Sequence, residues 1–198
     1  MTESLARLAV LASGGGSNLQ AILDHFDALG ADAPARCVLV LSDRKAAGAL
    51  ERARKHGVEA LWLPRDEDHR MLAVLTARDI THVALAGYLR LIPADVVRAY
   101  RGRMVNIHPA LLPEFGGPGM YGIRVHEAVI RSGARTSGAT VHFVDERYDD
   151  GAIIKQAQVP VLASDTPEQL AARVLEAEHT LYPQCIAALC AGTLSLST

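Results

Sequence analysis

Hydrophobic positions along the first half of the chain form short continuous runs separated by amphipathic segments. Continuous apolar runs of this length are typical of parallel strands that are covered on both faces. They predict strands at residues 8–12, 37–41, 60–63, 82–86 and 104–108. Between them, apolar residues recur three and four positions apart, as in Leu19, Ile22, Leu23 and Phe26, and this spacing predicts helices. The alternation of strand and helix predicts a parallel sheet with right-handed crossovers.

The pattern changes after residue 109. Residues 109–122 are rich in Gly and Pro, and two further strands follow at 138–144 and 153–159. About eight residues join these strands, too few for a crossover helix, so we expect an antiparallel pair. The segment from Thr166 to Gln169, with Pro167 as first helical residue, is a predicted capping box that begins a final helix reaching about residue 189. Earlier helices are predicted at residues 50–56, 66–78 and 125–131 and from Pro93 onward.

These elements predict an α/β fold of the Rossmann-like, three-layer kind. We expect a single domain over residues 1–198, with a mostly parallel twisted sheet flanked by helices and a C-terminal antiparallel strand pair. The net charge of −2 and the scattered basic residues argue against a nucleic-acid partner. No apolar run reaches about 18 residues, so no membrane span is predicted. Residues 1–7 lack a secretory pattern, and the three cysteines form no C-x-x-C pair, which favours a cytoplasmic protein.

Candidate chemistry lies at the end of the fifth predicted strand. Asn106 and His108 are two residues apart and therefore face the same side of the strand, which Pro109 ends. Ligands of open parallel sheets bind just outside the carboxyl ends of the strands. The segment Asp149-Asp150-Gly151 offers a carboxylate from a later loop, so an amide, an imidazole and a carboxylate are available for oxyanion stabilisation and proton transfer. The alternatives are a structural histidine at a strand end and a solvated turn acid.

A second candidate site is the Gly-rich turn from Ser13 to Asn18, between the first strand and the first helix. Free N–H groups at the start of this helix favour a phosphate or carboxylate, although the glycines could serve only a tight turn. The dinucleotide fingerprint fails at Leu19, but Asp43 could act as the ribose-binding acid, so a nicotinamide enzyme stays an alternative. His126 begins a zincin-like pattern that fails at Ile130, and we interpret the remaining histidines as surface or structural. Neither a metal nor a covalent nucleophile is predicted.

Five segments occur in an order that resembles the phosphoribosylglycinamide formyltransferase family, a folate-dependent family of purine synthesis. They are Gly14 to Gln20 (GGGSNLQ), Leu85 to Ile92 (LAGYLRLI), Asn106 to Pro113 (NIHPALLP), Gly138 to Val144 (GATVHFV) and Asp149 to Gly151. The resemblance implies formyl transfer from 10-formyltetrahydrofolate to the amine of glycinamide ribonucleotide, with both small molecules as partners, without metal, nucleic acid or membrane, and with a homodimer left open. The wider superfamily also contains formyltetrahydrofolate hydrolase, so hydrolysis of the donor is one alternative. A non-catalytic nucleotide-binding module is the other.

The resemblance also implies roles for individual residues. Asn106 would donate to the developing oxyanion, and His108, kept protonated by Asp149, would act as general acid. The ribonucleotide contacts are Gly16, Ser17, Asn18 and Glu178, and the folate contacts are Arg65, Leu89, Arg90, Leu91, Ile92 and Asn106. This sequence departs from the family pattern at Leu175, where some relatives have a second polar contact, and in the adjacent carboxylates of Asp149 and Asp150. We expect residues 115–122 to form a mobile lid.

Overall fold

A seven-stranded sheet with helices on both faces forms the centre of the computed structural model, which describes residues 5–196. The strands are β1 (Ala6–Leu11), β2 (Ala35–Ser42), β3 (Glu59–Trp62), β4 (His82–Leu85), β5 (Met104–His108), β6 (Thr136–Phe143) and β7 (Ile153–Pro160). The α-helices are α1 (Ser17–Leu29), α2 (Gly48–Lys55), α3 (Met71–Thr76), α4 (Ala94–Ala99), α5 (Ile123–Ser132) and α6 (Pro167–Cys190), and 3-10 segments cover Gly30–Asp32 and Arg65–Arg70. All seven predicted strands are confirmed.

The strand order is β3-β2-β1-β4-β5-β6-β7. Strands β1 to β5 pair in parallel, whereas β6 pairs antiparallel with both β5 and β7. The predicted mostly parallel sheet with a C-terminal antiparallel pair is therefore confirmed. The order reverses between β1 and β4, and the loops that follow these two strands open a crevice at their carboxyl ends.

Alternation of side chains along the strands produces two cores. On β1, Leu8 and Val10 face the core formed with α1, α2, α5 and α6, whereas Ala9 and Leu11 face the core formed with α3 and α4. Both faces of the central strands are thus covered, which is why these strands read as continuous apolar runs. The predicted three-layer arrangement is confirmed.

Two predicted helix starts differ in detail from the structure. The helix predicted at 66–78 begins as the 3-10 segment Arg65–Arg70 and becomes α-helical only at Met71. Its first six residues are all polar, so this part has no apolar face to bury against the sheet. Pro93 is the N-cap residue of α4 and not its first helical residue, with an extended ψ of 138°. The capping box of α6 is confirmed, with Thr166 and Gln169 bonded in both directions.

The only tryptophan of the chain lies at one edge of the sheet. Trp62 ends the edge strand β3 and is partly exposed, and the Lys45 Nζ atom lies 5.4 Å from its ring centroid. Lys45 belongs to the loop between β2 and α2, which also carries Asp43.

Of the helices within residues 5–196, none combines the length and hydrophobicity needed to cross a lipid bilayer.

Candidate active site

Polar side chains from two antiparallel neighbours, β5 and β6, meet at the carboxyl end of β5. Asn106 and His108 project from β5, and the strand register puts His142 of β6 directly opposite Asn106. The Asn106 Nδ2 atom donates to His142 Nε2 at 3.1 Å. His142 in turn contacts the carbonyl oxygen of Phe143 through Nδ1 at 2.8 Å. Because an amide nitrogen carries two protons, this contact uses one of them, and the other is directed at the Asp149 Oδ1 atom at the longer distance of 3.5 Å.

Asp149 completes this cluster from the loop between β6 and β7. Its Oδ2 atom lies 3.5 Å from His108 Nδ1 and accepts a hydrogen bond from the Gly117 N–H at 2.9 Å, and its Oδ1 atom lies 3.5 Å from Asn106 Nδ2. Asp150 points elsewhere and pairs with Arg147 at the surface at 2.5 Å. The three residues proposed from the sequence as catalytic therefore lie together, and of the two adjacent carboxylates it is Asp149 that faces the imidazole.

The Asp149 carboxylate is stabilised in its charged form. Burial raises its pKa, but the His142 ring 3.6 Å away, the nearby His108 ring and the Gly117 N–H together lower the pKa by more, so the net pKa lies below the ordinary value. The backbone of Asp149 is left-handed, with φ of 55°. A non-glycine residue in this conformation costs about 1 kcal/mol or more, and surrounding contacts must hold it there. A negative charge is thus fixed beside His108.

His108 is enclosed by the Gly-rich segment that follows β5. Its Nε2 atom lies 2.8 Å from the carbonyl oxygen of Phe115, so both ring nitrogens face oxygen atoms. Burial lowers the pKa of His108, and although Asp149 and the Phe115 carbonyl oppose this, the net pKa is below the ordinary value. The charge of Asp149 acts in the expected direction, but burial outweighs it. Burial therefore disfavours the charged ring in the free site, and the Phe115 carbonyl oxygen can accept a proton from Nε2.

A second polar pair connects helices α1 and α6. The Asn18 Nδ2 atom donates to Glu178 Oε2 at 2.6 Å, and both residues are buried. Burial raises the pKa of Glu178 to about 7, against the opposing effect of the hydrogen bond from Asn18. The Asn18 Oδ1 atom has no hydrogen-bond partner among residues 5–196. A ligand hydroxyl or amine would satisfy this buried oxygen.

One cavity of about 600 Å³ joins the two polar clusters. Its wall includes Asn18, Glu178, Asn106, His108, His142 and Asp149 together with residues 89–92 and 117–123. Much of the remaining wall is apolar, and the side chains of Leu89, Leu91 and Tyr121 are partly exposed at it. A cavity of this size with a few convergent polar groups is typical of a site for a small organic molecule. The predicted lid segment lies against this cavity in the structure, and its mobility remains a prediction.

The Gly-rich turn lies beside this cavity at the start of α1. Gly16 has φ of 77°, and a Cβ atom at this position would lie 2.8 Å from the Ala49 Cα atom, so only glycine fits. Within residues 5–196 no side chain caps α1, so the N–H groups of its first turn are available for an anion. Asn18 reaches the cavity wall, whereas Gly16 and Ser17 do not form part of it.

The other predicted contact residues are divided between the wall and the surface. Leu89, Arg90, Leu91 and Ile92 all line the cavity, and the Arg90 guanidinium forms an ion pair with Asp68 of the 3-10 segment. Arg65, at the start of the same segment, is exposed and is not part of the cavity wall. The structure thus brings the backbone segment 89–92 to the site and leaves Arg65 outside it.

Two further histidines, His142 and His126, are buried and line the cavity. The sequence predicts no role for His126 beyond a failed zincin pattern and a surface or structural place for His142, so neither is predicted as part of the site. His142 could not be identified locally because its partner, Asn106, is 36 residues away, and their contact depends on the register between β5 and β6. For His126, the Nδ1 atom has no partner among residues 5–196, and burial lowers its pKa.

Comparison with known proteins identifies the family of the chain. Residues 6–186 match the family model described as Formyl transferase. The chain is 46% identical over 192 residues to a protein of Arabidopsis thaliana named phosphoribosylglycinamide formyltransferase, chloroplastic, and 44% identical over 197 residues to the protein of the same name in Vigna unguiculata. These alignments cover 93% and 96% of this chain but 65% and 62% of the plant proteins, so the chain spans less than two thirds of their length.

A similar solved structure supports the same grouping. The crystal structure of glycinamide ribonucleotide transformylase 1 from Symbiobacterium toebii superposes with a TM-score of 0.88 at 40% sequence identity. The match covers 98% of this chain and 91% of that one. Likeness in sequence and in fold therefore extends over nearly the whole chain.

Proposed function

The chain belongs to the formyl transferase family, and on that premise we propose that it transfers the formyl group of 10-formyltetrahydrofolate to the amine of glycinamide ribonucleotide. The products are formylglycinamide ribonucleotide and tetrahydrofolate, and the reaction belongs to de novo purine synthesis. One observation carries the proposal: Asn106, His108 and Asp149 share a single cavity with the pair formed by Asn18 and Glu178. The first group suits the chemistry, and the pair suits recognition of a polar substrate.

Asn106 stabilises the oxyanion in this proposal. Attack of the amine on the formyl carbon moves negative charge onto the formyl oxygen, where a preorganised amide donor is worth about 3–4 kcal/mol. His142 accepts one Nδ2 proton of Asn106 at 3.1 Å and so fixes the direction of the other. That second proton, which in the free site faces Asp149 Oδ1 at 3.5 Å, is the one we assign to the oxyanion, which takes the place of this long contact. His142 is a positioning residue in this reading.

His108 moves the proton. A buried neutral imidazole can accept the proton that the attacking amine loses and pass it to the folate nitrogen as that nitrogen leaves. While His108 carries both protons, it also stabilises the negative oxygen, and the Asp149 carboxylate 3.5 Å away stabilises the imidazolium. The family resemblance implies that His108 is a general acid kept protonated by Asp149. Because burial lowers the pKa of His108, we propose instead that the ring acquires its second proton during the reaction.

Binding of the two substrates is assigned to separate elements. Gly16 and Ser17, at the uncapped start of α1, bind the phosphate, and Asn18 and Glu178 contact the rest of the ribonucleotide. The backbone of residues 89–92 and the apolar wall around it accept the pterin ring. Arg65, which lies outside the wall, is proposed to contact only the part of the folate that projects from the cavity.

The proposal includes the other expectations drawn from the sequence. The reaction uses no metal, because protein side chains supply the oxyanion donor and the proton carrier. The two small molecules are the partners, and neither nucleic acid nor membrane takes part. We further propose a single formyltransferase domain over residues 1–198 in the cytoplasm, with a homodimer as the alternative to a monomer.

The test is an assay of tetrahydrofolate release by the purified chain with and without glycinamide ribonucleotide. We expect release only when the ribonucleotide is present. Release at the same rate without it would identify a hydrolase instead. This comparison separates transfer to the amine from transfer to water.

Replacing His108 by Ala tests whether the site is catalytic. Turnover should fall by several orders of magnitude while binding of the ribonucleotide is retained. His25→Ala, outside the cavity wall on α1, is the control and should keep its activity. Unchanged turnover in the His108 variant would refute the assignment of His108, and absence of turnover in the unmodified chain would favour a non-catalytic binding module.

A further inference from the structure

Three loops at the carboxyl edge of the sheet meet at the side chain of Ser13. Ser13 is the last residue before the glycines of the Gly-rich turn, residues 13–18, which we term the phosphate turn after its proposed ligand. Its Oγ atom donates to Asp43 Oδ1 at 2.6 Å and accepts a hydrogen bond from the Leu89 N–H at 3.0 Å. Its own N–H donates to the carbonyl oxygen of Gly87 at 3.0 Å. The turn after β1, the loop after β2 and the segment after β4 are therefore joined at one residue.

The hydroxyl of Ser13 is fully engaged and hidden from water. Ser13 is only 2% exposed, so neither hydrogen bond can be exchanged for one to solvent. A buried hydroxyl that both donates and accepts holds its neighbours in one arrangement. Asp43 was the candidate ribose-binding acid of the nicotinamide alternative. In the structure Asp43 is half-buried, and its Oδ1 atom accepts the Ser13 hydroxyl, so at least one carboxylate oxygen is engaged within the protein.

The phosphate turn is also held from its other side by α2. The Ala49 N–H donates to the carbonyl oxygen of Gly14 at 3.1 Å, and the Arg52 Nε atom donates to the carbonyl oxygen of Gly15 at 2.8 Å. The turn therefore cannot adjust to a ligand by itself. A displacement of the turn must be accommodated through α2 or through Ser13, and Ser13 leads directly to the N–H of Leu89.

We propose that Ser13 is a positioning residue that couples the phosphate turn to segment 89–92, so that occupation of one site favours binding at the other. The inference rests on the proposed function for the identity of the two ligands. Ordering of the turn by a phosphate fixes the Ser13 hydroxyl, which fixes the first residue of the segment expected to hold the folate. Coupling of this kind is reciprocal: each ligand changes the affinity of the other by the same factor.

The test measures binding of folic acid, which carries no formyl group, by calorimetry with and without saturating glycinamide ribonucleotide. For the unmodified chain we expect the ribonucleotide to tighten folic acid binding by about 5-fold or more, a typical coupling between sites. In Ser13→Ala this coupling factor, the ratio of folic acid affinities with and without the ribonucleotide, should approach one. In the transfer assay, the KM for 10-formyltetrahydrofolate should rise several-fold in this variant while kcat changes much less.

Two further variants separate coupling from a loss of stability. Asp43→Asn retains an acceptor oxygen for the Ser13 hydroxyl and should keep the coupling, whereas Asp43→Ala should lose it; this pair also carries the test if Ser13→Ala fails to fold. Ser137→Ala is the matched control, because Ser137 is likewise 2% exposed and its hydroxyl has no partner among residues 5–196. It should leave the coupling unchanged.

A coupling factor of one in the unmodified chain, or an undiminished factor in Ser13→Ala, would overturn the inference. A parallel titration uses inorganic phosphate in place of the ribonucleotide. The phosphate titration measures coupling even if the unmodified chain shows no formyl transfer. Absence of formyl transfer would count against the proposed function and not against the role of Ser13.

Discussion

Glu178 is a carboxylic acid that the fold removes from water, with a single described hydrogen bond from Asn18. Burial raises its pKa from 4.5 to about 7. When the pKa of an acid is higher in the folded state than in the unfolded state, the fold is more stable at low pH, where the group is protonated in both states, than at high pH. That contribution is lost as the pH rises from 4.5 through about 7, because the unfolded chain ionises first. Above pH 7, an ionised Glu178 destabilises the fold.

Replacing Glu178 by Gln should therefore stabilise the free protein at high pH. Gln keeps an acceptor for Asn18 and carries no charge to bury. The free energy of unfolding of the variant, relative to the unmodified chain, should increase between pH 5 and pH 8 by on the order of 3 kcal/mol. Urea denaturation at the two pH values measures this difference. Glu176→Gln, at an exposed position of the same helix, should show no such change, and a pH-independent difference for Glu178→Gln would contradict the buried-acid account.

At the scale of elements, the phosphate turn shows how one position can decide a local structure. Gly14 and Gly15 are exposed, and a methyl group added to either meets nothing within 4 Å. Gly16 combines a left-handed backbone with close contact to Ala49. The turn therefore depends on Gly16 for its shape, while its neighbours leave the backbone open to a ligand.

Gly16→Ala and Gly15→Ala form a matched pair that tests this difference. Gly16→Ala should destabilise the protein by about 1–3 kcal/mol, through the left-handed φ and the clash with α2, and should weaken ribonucleotide binding at least tenfold. Gly15→Ala adds the same methyl group without either penalty and should have a much smaller effect. Thermal unfolding and calorimetric titration with the ribonucleotide measure both quantities. Equal effects of the two substitutions would show that the shape of the turn does not depend on Gly16.

Elements were predictable from the sequence wherever one local property determined them. The strands follow from continuous apolar runs, and α6 follows from its capping box, because burial and capping both leave a local pattern. The 3-10 geometry of Arg65–Arg70 was not predicted, because apolar positions further along the chain suggested one continuous helix. The start of α4 was displaced by one residue, which is within the usual uncertainty of helix ends.

At the scale of the whole molecule, the site was predictable only where residues close in sequence share one face. Asn106 and His108 share a face of β5 by simple alternation, and Asp149 was identified from the family resemblance. His142 was missed because its place depends on strand pairing, and Arg65 was included although the structure leaves it at the surface. Long-range register and the course of a polar segment are properties of the packed molecule, and no local pattern encodes them.

Burial of histidines predicts a whole-molecule response to acid. Burial lowers the pKa of His82, His108, His126 and His179 below 6.5, so the native state resists protonation. As the pH falls below 6.5, the unfolded chain gains protons that the native state does not, and stability falls. Below 3.8, the stabilisation from the lowered pKa of Asp149 is lost as well.

The measurement is a series of urea midpoints between pH 7.5 and pH 5, made in Glu178→Gln because Glu178 titrates with the opposite sign. The midpoint should decrease steadily toward pH 5. Returning the same sample to pH 7.5 deprotonates the histidines again and should restore the original urea midpoint. A midpoint that stays constant or rises over this range would mean that these histidines are as accessible to protons in the folded chain as in the unfolded one.

The only tryptophan of the chain gives the molecule an intrinsic optical signal. Trp62 packs beneath the ammonium group of Lys45, and Lys45 follows Asp43 by two residues in the same loop. Indole emission is sensitive to a nearby cation and to water, so a shift of this loop changes the fluorescence of the unlabelled protein. Because the loop is bonded to Ser13, we expect a ligand bound at the turn to change this signal, which stopped-flow fluorescence would follow without an added dye.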